Sequence, residues 1–171
     1  DGRKVYGLID SPGSSPYAFT VGALNTKGTP QRSDDVVTTY SSRGPTWIDR
    51  LPKPDVVAPG NKIRSLLGVG TTLASEHPEF IVGAGPNARL ELSGTSMSAA
   101  VVSGAAAVLL EGNRLLTPFG LRVALQYTSS RVEGSTALDS GVGSVNVAAA
   151  LKAARARTAG SFSTVIAGET V

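Results

Sequence analysis

A serine at the start of an apolar segment is the feature of this chain best suited to chemistry. Residues 93–98 read Ser-Gly-Thr-Ser-Met-Ser, and a nearly unbroken apolar run follows over residues 99–110. The run predicts a helix, whose first turn has unpaired backbone N–H groups and the positive end of the helix dipole. These groups can stabilise a developing oxyanion, so the arrangement suits a nucleophilic serine.

Spacing alone leaves a second interpretation of Ser96 open. A serine at a helix start is most often an N-cap, whose hydroxyl accepts a hydrogen bond from an N–H two or three residues later. Caps outnumber nucleophiles, so position alone favours the cap. The Gly-x-Ser-x-Gly turn of α/β-hydrolases does not fit, because Ser98 stands where that turn has its second glycine.

The composition limits the class of protein. The 171 residues suffice for one domain with a core, and 41% hydrophobic with 17% charged residues is an ordinary globular balance. The net charge of +3 is spread along the chain, so we expect no nucleic-acid partner. No run is expected to cross a membrane, and the absence of cysteine is compatible with secretion.

The predicted elements follow a mixed α/β order. Helices are predicted from Ser96 to about Glu111, from Pro118 (with Thr117 as N-cap) to Thr128, and over residues 145–154. The first helix has one charged residue and is expected to be buried on all sides. A surface loop is expected over residues 68–87. Strands, or strand-like apolar segments, are expected at residues 5–9, 17–23, 36–40, 53–60, 63–67 and 161–166.

Five segments together resemble the subtilisin-like serine proteases, in the order that this family has them. The Gly-Thr-Ser-Met core of the family's active-site motif is present in full at residues 94–97, whereas the family's later Pro and His are Ala100 and Val101. The other four segments lie at residues 11–23, 40–45 (Tyr-Ser-Ser-Arg-Gly-Pro), 53–60 (Lys-Pro-Asp-Val-Val-Ala-Pro-Gly) and 141–151. The ordered set reverses the preference for a cap and identifies Ser96 as the nucleophile position.

The resemblance implies a fold and an extent. It implies an α/β fold, the C-terminal half of a three-layer α/β/α arrangement with a mainly parallel sheet and a buried central helix beginning at Ser96. Residues 1–171 then form a single partial catalytic domain, with the match strongest over 11–151 and a C-terminal extension over 155–171. In the family's mechanism a histidine takes the serine proton, and the N–H groups of Thr95 and Ser96 help to bind the oxyanion.

The family's catalytic aspartate, histidine and oxyanion asparagine lie in segments that precede the matched region. His77, the one histidine here, follows the Ala-Pro-Gly motif and is interpreted as a solvated loop residue. Asp55 is expected to be a structural carboxylate, and the Asp34–Asp35 pair a polar turn. The isolated chain is therefore expected to be inactive.

Two functions from different classes follow. The first is a portion of a serine endopeptidase that acts on a peptide or protein substrate through an acyl-enzyme. Its partner is then the N-terminal part of the domain or a self-associated copy, and secretion or another extracytoplasmic location is expected. The alternative is a non-catalytic module derived from a protease. No cofactor is expected; the family often binds calcium, but no acidic cluster here supports a metal site.

Two expectations concern the turn at residues 10–13. The Ser11–Pro12 bond matches a family position that is often cis. Asp10 precedes it, where the family lines the base of its primary specificity pocket, so a carboxylate there would favour Arg or Lys before the cleaved bond. A turn-forming Asp10 that points to solvent is an equally good interpretation.

Overall fold

The structure is a computed structural model that describes residues 4–68 and 70–156, together with the backbone of 165–166 and 169–170. The strands are β1 (Val21–Asn25), β2 (Val36–Val37), β3 (Val56–Pro59), β4 (Ile63–Leu66), β5 (Ile81–Val82), β6 (Arg89–Leu92), β7 (Val165–Ile166) and β8 (Glu169–Thr170). The helices are α1 (Thr72–Glu76), α2 (Thr95–Gly112), α3 (Pro118–Tyr127), α4 (Ala137–Ser140) and α5 (Val147–Arg155).

The core is built on a three-stranded sheet in the order β2-β1-β3. β1 and β3 are parallel, with Val21 opposite Val56 and Leu24 opposite Pro59. Both strands are short apolar runs because both of their faces are covered. The prediction of an α/β fold is confirmed.

Helix α2 lies against this sheet through one face. Val102, Ala105 and Leu109 are buried there and belong to one cluster with Val56 and Ala58 of β3. Small residues on this face allow a close approach of helix and strand. Helices α3 and α5 complete the cluster with buried Leu125, Ala150 and Ala154.

The opposite face of α2 is exposed in the described structure, so the prediction of a helix buried on all sides is wrong for this arrangement. Its exposed residues include Ala100, Gly104, Val108 and Leu110. The sequence is apolar all round, and no described element covers that face. By length and composition alone, α2 could cross a membrane, although no such run was expected from the sequence. One face of α2 is nevertheless buried in the protein core.

Residues 68–87, predicted to be a loop, contain α1, β5 and two short 3₁₀ turns. They lead into β6, which the sequence analysis missed although it alternates polar and apolar residues. β6 pairs antiparallel with β4 and β5, and β2 is antiparallel to β1. Parallel pairing between named strands is thus confined to β1 and β3, so a mainly parallel sheet is not seen in the described residues.

The other predictions vary in accuracy. Helix α3 begins as predicted, with Thr117 Oγ1 accepting a hydrogen bond from the Gly120 N–H at 3.1 Å. α5 begins two residues later than predicted, where Asn146 Oδ1 accepts from the Ala149 N–H at 3.1 Å. Residues 5–9 form only one bridge, from Ile9 to Thr46. Most of the strand expected at 161–166 lies outside the described residues.

A buried carboxylate joins the N-terminal segment to the rest of the fold. Asp139 accepts hydrogen bonds from Arg43 Nε at 2.7 Å and from the Thr136 N–H at 2.9 Å. Lys4 Nζ at 3.4 Å and Tyr6 Oη at 3.3 Å donate from the segment that leads to Ile9. Burial alone would raise the pKa of Asp139, but the Thr136, Arg43 and Lys4 contacts outweigh it and lower the pKa to about 2.

Replacing Asp139 with Asn should lower the free energy of unfolding by about 3 kcal/mol at pH 7, because the buried Arg43 guanidinium loses its partner. The folded-state pKa of about 2 lies below the unfolded value of about 3.9. The contribution of Asp139 is therefore complete above about pH 5 and is lost progressively as the pH falls from there through about 2. Urea unfolding at pH 7 and between pH 5 and pH 2 measures both effects.

The exposed Glu133→Gln variant is the control for this change of charge. Its unfolding free energy should stay within about 0.5 kcal/mol of the wild type. A gap between wild type and Asp139→Asn that does not narrow on acidification would contradict the assigned role of the carboxylate.

A close backbone contact fixes where α2 begins. The Gly94 N–H donates to the Gly60 carbonyl at 2.8 Å, and the Gly60 N–H donates to the Leu24 carbonyl at 3.0 Å. A Cβ on Gly60 would collide with Ser98 Oγ and would lie 2.9 Å from both Ala23 Cβ and the Gly94 carbonyl oxygen. Glycine at position 60 therefore allows the end of β3 to contact both β1 and the turn before α2. A larger residue would not fit between them.

Gly60→Ala should therefore destabilise the protein by about 1 to 3 kcal/mol, through overpacking against the buried Ser98 hydroxyl, Ala23 and the Gly94 carbonyl. Gly120→Ala in α3 is the matched control, because its Cβ would meet side chains at an ordinary 3.4 Å. The control should be neutral or slightly stabilising, since alanine favours a helix. Thermal unfolding of both variants gives the comparison, and equal melting temperatures would refute the steric argument.

Candidate active site

The turn before α2 is held in a conformation that places Ser96 on the first helical turn. Gly94 has φ 157° and ψ 162°, a region essentially restricted to glycine. The Ser93 hydroxyl accepts a hydrogen bond from the Lys62 N–H at 2.9 Å, which ties this turn to the residues before β4. Ser96 is then the second residue of α2.

Two serines of this turn have opposite environments. Ser98 is fully buried, and its hydroxyl donates to the Ala58 carbonyl of β3 at 3.0 Å. The Ser96 side chain is exposed and forms no hydrogen bond with the described residues. Gly94 occupies the N-cap position and α2 has no side-chain cap, so the interpretation of Ser96 as a cap does not hold. Ser98 therefore anchors the helix and Ser96 presents its hydroxyl outward.

The backbone beside Ser96 offers hydrogen-bond donors. The Met97 and Ser98 N–H groups both point to the Gly94 carbonyl, at 3.1 and 3.4 Å. Among the described residues the Thr95 and Ser96 N–H groups have no acceptor. Two unpaired donors at the positive end of an 18-residue helix can bind a negatively charged oxygen.

Asp10 and Thr95 line the same cavity. The cavity has a volume of about 190 Å³, and Gly22 is also among its lining residues. The Ser11–Pro12 bond beside it is cis, as the resemblance predicts, and Gly44–Pro45 and Lys53–Pro54 are cis as well. Asp10 Oδ1 accepts a hydrogen bond from the Ser11 N–H at 2.8 Å, so the carboxylate is partly engaged by its own turn.

No base lies within hydrogen-bond reach of Ser96 in the described part of the chain. His77 pairs its Nδ1 with Glu79 Oε1 at 2.9 Å and stacks on Phe80 at 5.0 Å, in the exposed segment after α1. The hydrogen bond to His77 lowers the pKa of Glu79. These contacts agree with the interpretation of His77 as a solvated loop residue.

Asp55 is a structural carboxylate, as expected. Its Oδ2 accepts from the Thr20 N–H and from Lys53 Nζ, each at 2.7 Å. Lys53 Nζ also donates to the Ala18 carbonyl at 2.7 Å, so a buried ammonium group neutralises this turn. These contacts hold residues 18–20, which directly precede β1, against the start of β3.

Asp35 differs from the polar turn that the sequence predicts. It is buried, and its Oδ1 has no hydrogen-bond partner. Burial and the neighbouring Asp34 raise the pKa of Asp35. Asp34 behaves as a turn residue and accepts a hydrogen bond from the Thr29 hydroxyl at 2.9 Å. Because Asp34 and Asp35 are adjacent and chemically identical, the sequence does not indicate which of the two side chains is buried.

Metal binding finds little support among the described residues. They contain no group of three or more His, Cys, Asp or Glu side chains close enough to hold an ion. These residues therefore offer no acidic cluster of the kind that commonly binds calcium.

Sequence reasoning missed the residues that support the site. Gly60 and Ser98 align the strand and the helix, but a glycine after Ala-Pro and a serine in a helix carry no signal of that contact before the fold is known. The same is true of Trp47, which lies in a loop near Asp10 and whose exposure only the structure reveals.

The chain is similar to known proteins. The family model of the subtilase family matches residues 7–145. The serine protease AprX of Bacillus subtilis is 36% identical over 138 residues, which cover 81% of this chain and 30% of that protein.

Two solved structures are similar in fold. Fervidolysin from Fervidobacterium pennivorans, a keratinolytic enzyme related to subtilisin, has a TM-score of 0.66 and 30% identity, over 83% of this chain and 20% of that one. The CspB protease of Clostridium perfringens has a TM-score of 0.68 over 90% of this chain and 30% of its own, and its 24% identity supports the fold alone. The chain thus spans less than a third of each of these proteins. With the Gly-Thr-Ser-Met turn at the start of a central helix and the match over residues 7–145, the chain belongs to the subtilase family.

Proposed function

We propose that this chain carries the nucleophile of a serine endopeptidase, with Ser96 as the attacking residue. The observation that carries the proposal is the exposed Ser96 hydroxyl on the first turn of α2, beside the unpaired N–H groups of Thr95 and Ser96. Serine proteases need this combination of an accessible hydroxyl and donors for the oxyanion. The buried Ser98 cannot serve, because its hydroxyl is committed to the Ala58 carbonyl.

The reaction has two steps. Ser96 Oγ attacks the substrate carbonyl carbon and gives its proton to a base, while the carbonyl oxygen becomes an oxyanion facing the Thr95 and Ser96 N–H groups. The C–N bond then breaks, the amine leaves with that proton, and water hydrolyses the acyl-enzyme. The described residues place no base at Ser96, so the histidine, its aspartate and the oxyanion asparagine have to come from another segment.

The exposed face of α2 supports this division. It presents Ala100, Gly104, Val108 and other small or apolar residues, and a groove of about 420 Å³ beside it is lined by Leu66, Leu92 and Met97. We assign this surface to the preceding part of the catalytic domain, because the chain spans only 30% of AprX. A second copy of the chain is the other candidate for covering it.

The non-catalytic alternative rests on Ala100 and Val101, which replace the proline and histidine of the family motif. Val101 packs against the core beside Val102, so this part of α2 is well formed without them. A binding module would keep the fold without needing an accessible Ser96. Labelling of Ser96 decides between the two functions.

The isolated 171-residue chain should neither hydrolyse peptides nor react with a fluorophosphonate probe. In subtilisin, loss of the histidine lowers turnover about a millionfold. The full-length protein, or this chain mixed with the preceding segment, should react and hydrolyse. Ser96→Ala should abolish both signals, and in-gel fluorescence with a peptidase assay measures them.

Ser33→Ala is the matched control, because it removes an exposed hydroxyl that lies outside α2. It should keep full labelling. Strong activity of the isolated chain would show that the base was assigned wrongly, and a full-length protein that never labels would favour the non-catalytic module.

We further propose that Asp10 lies in the primary specificity pocket. Its carboxylate borders the 190 Å³ cavity that Thr95 also lines, one residue from Ser96. The Ser11 N–H occupies Oδ1, which leaves Oδ2 available to a cationic group. The proposed preference is Arg or Lys before the cleaved bond.

Asp10→Asn should lower the ratio of kcat/KM for an arginine substrate to that for a leucine substrate by roughly tenfold, because a charge-assisted hydrogen bond becomes a neutral one. Steady-state assays of the full-length protein on matched peptides give the ratio. Asp34→Asn, a carboxylate in another loop, should leave it unchanged. A wild-type preference for phenylalanine or leucine would exclude the proposed role of Asp10.

The remaining assignments rest on the resemblance. We propose that residues 1–171 form one partial catalytic domain, with 155–171 as a C-terminal extension, and that the protein acts outside the cytoplasm on peptide or protein substrates.

A further inference from the structure

The loop over residues 46–51 is pinned close to Asp10. Thr46 is fully buried, its N–H donates to the Leu51 carbonyl at 3.0 Å, and its Oγ1 accepts from the Leu51 N–H at 2.9 Å. A bridge joins Thr46 to Ile9, and the Gly7 N–H donates to the Gly44 carbonyl at 3.1 Å. The residues between Thr46 and Leu51 therefore form a short tip on a fixed base.

This tip presents large apolar side chains to solvent. Trp47 is 71% exposed and Ile48 is 87% exposed. A cavity of about 410 Å³ opens beside them, with Trp47, Ile48 and Leu8 among its walls. That volume is within the usual range of ligand pockets. Exposed aromatic and aliphatic groups at the rim of a cavity are typical of a binding surface.

The charge of the cavity is negative. Asp10 and Asp49 both line it, and no lysine or arginine of the described chain does. Asp49 has no ion-pair partner among the described residues. The Arg50 guanidinium lies 5.4 Å from the centre of the Trp47 ring, outside the cavity lining, and makes a cation–π contact with this indole.

This cavity is distinct from the one beside Thr95. The two share Leu8, Ile9 and Asp10, but Thr95 lines only the smaller and Trp47 and Asp49 line only the larger. A peptide seated at Ser96 would therefore reach the larger cavity with a side chain other than the one before the cleaved bond.

We propose that the Trp47–Asp49 cavity is a second substrate subsite that takes a lysine or arginine side chain. The hydrocarbon stem packs on Trp47 and Ile48, and the cationic head pairs with Asp49, which lines only this cavity. The subsite deepens the proposed peptidase function and rests on it. Asp49 and Trp47 are its specificity residues, and neither touches the reacting atoms.

The test measures binding without requiring turnover. The full-length protein with Ser96→Ala is titrated with fluorescein-labelled peptides that keep leucine before the expected cleavage bond. In one series of peptides, a single lysine stands at each of the three positions before that leucine in turn. In two matched series, alanine or norleucine replaces the lysine. One position should show lysine binding about five- to tenfold tighter than alanine, by fluorescence anisotropy at low salt. Norleucine, which has no charge, should give only the part of the gain in affinity that comes from apolar contacts.

Asp49→Asn and Trp47→Ala, each added to this background, should bring the lysine preference to within about twofold of alanine. Glu133→Gln and Phe119→Ala are matched controls of similar exposure elsewhere, and should keep it. Raising the salt to 0.5 M should weaken the lysine preference but not the norleucine one. Trp47→Phe covers the case in which the alanine variant fails to fold, and should keep part of the preference.

The outcomes separate the two proposals. In one outcome, the full-length protein with Ser96 intact shows no hydrolysis while the Ser96→Ala protein shows a lysine preference that depends on Asp49. That result would support the binding cavity and refute the peptidase. Hydrolysis with no lysine preference at any of the three positions, or a preference unchanged by Asp49→Asn, would overturn the subsite and leave the peptidase intact.

Discussion

The contact between Gly60 and Gly94 is the constraint on which the site depends. It joins the carboxyl end of β3 directly to the turn before α2 by one backbone hydrogen bond of 2.8 Å, and Gly60 also binds the end of β1. Because Gly60 has no side chain there and Gly94 adopts a backbone conformation that favours glycine, the helix begins within touching distance of both parallel strands. Ser98 then fixes the rotation of the helix by its bond to Ala58, which turns Ser96 outward. The position of the hydroxyl thus follows from packing of the backbone.

Buried ion pairs hold the loops around this contact. Arg43 with Asp139, and Lys53 with Asp55, each join a loop to a distant segment through carboxylate oxygens that also accept backbone N–H groups. Such pairs add little net stability over an apolar core, but removal of one partner is costly. Their effect is specific: they fix the Tyr6 and Thr20 segments on either side of the Asp10 turn. A mainly small and aliphatic core could not define those loop positions alone.

The sequence predicted the parts that depend on local pattern. The start of α3 followed from Thr117 and Pro118, and the central helix from its apolar run, within one residue at each end. The short strand β6 was not predicted, nor were the elements of the segment before it. The reason is that β6 pairs with β4, some 25 residues earlier, and not with its neighbours in sequence. Burial of α2 on all sides was wrong for the described residues because composition gives the amount of apolar surface without saying which segment covers it.

In the proposed peptidase, the contacts that position Ser96 are physically separate from the group that would activate it. Contacts that place Ser96, from Gly60, Gly94 and Ser98, all lie within the described chain and bury strand and helix backbone together. A serine hydroxyl placed in this way still holds its proton at neutral pH, since neither the helix dipole nor two N–H donors can remove it. In the proposed reaction, the proton acceptor approaches from the open side of α2, where the apolar face and the groove at Met97 lie. The same surface that leaves the helix half exposed is therefore the one through which its serine would become reactive.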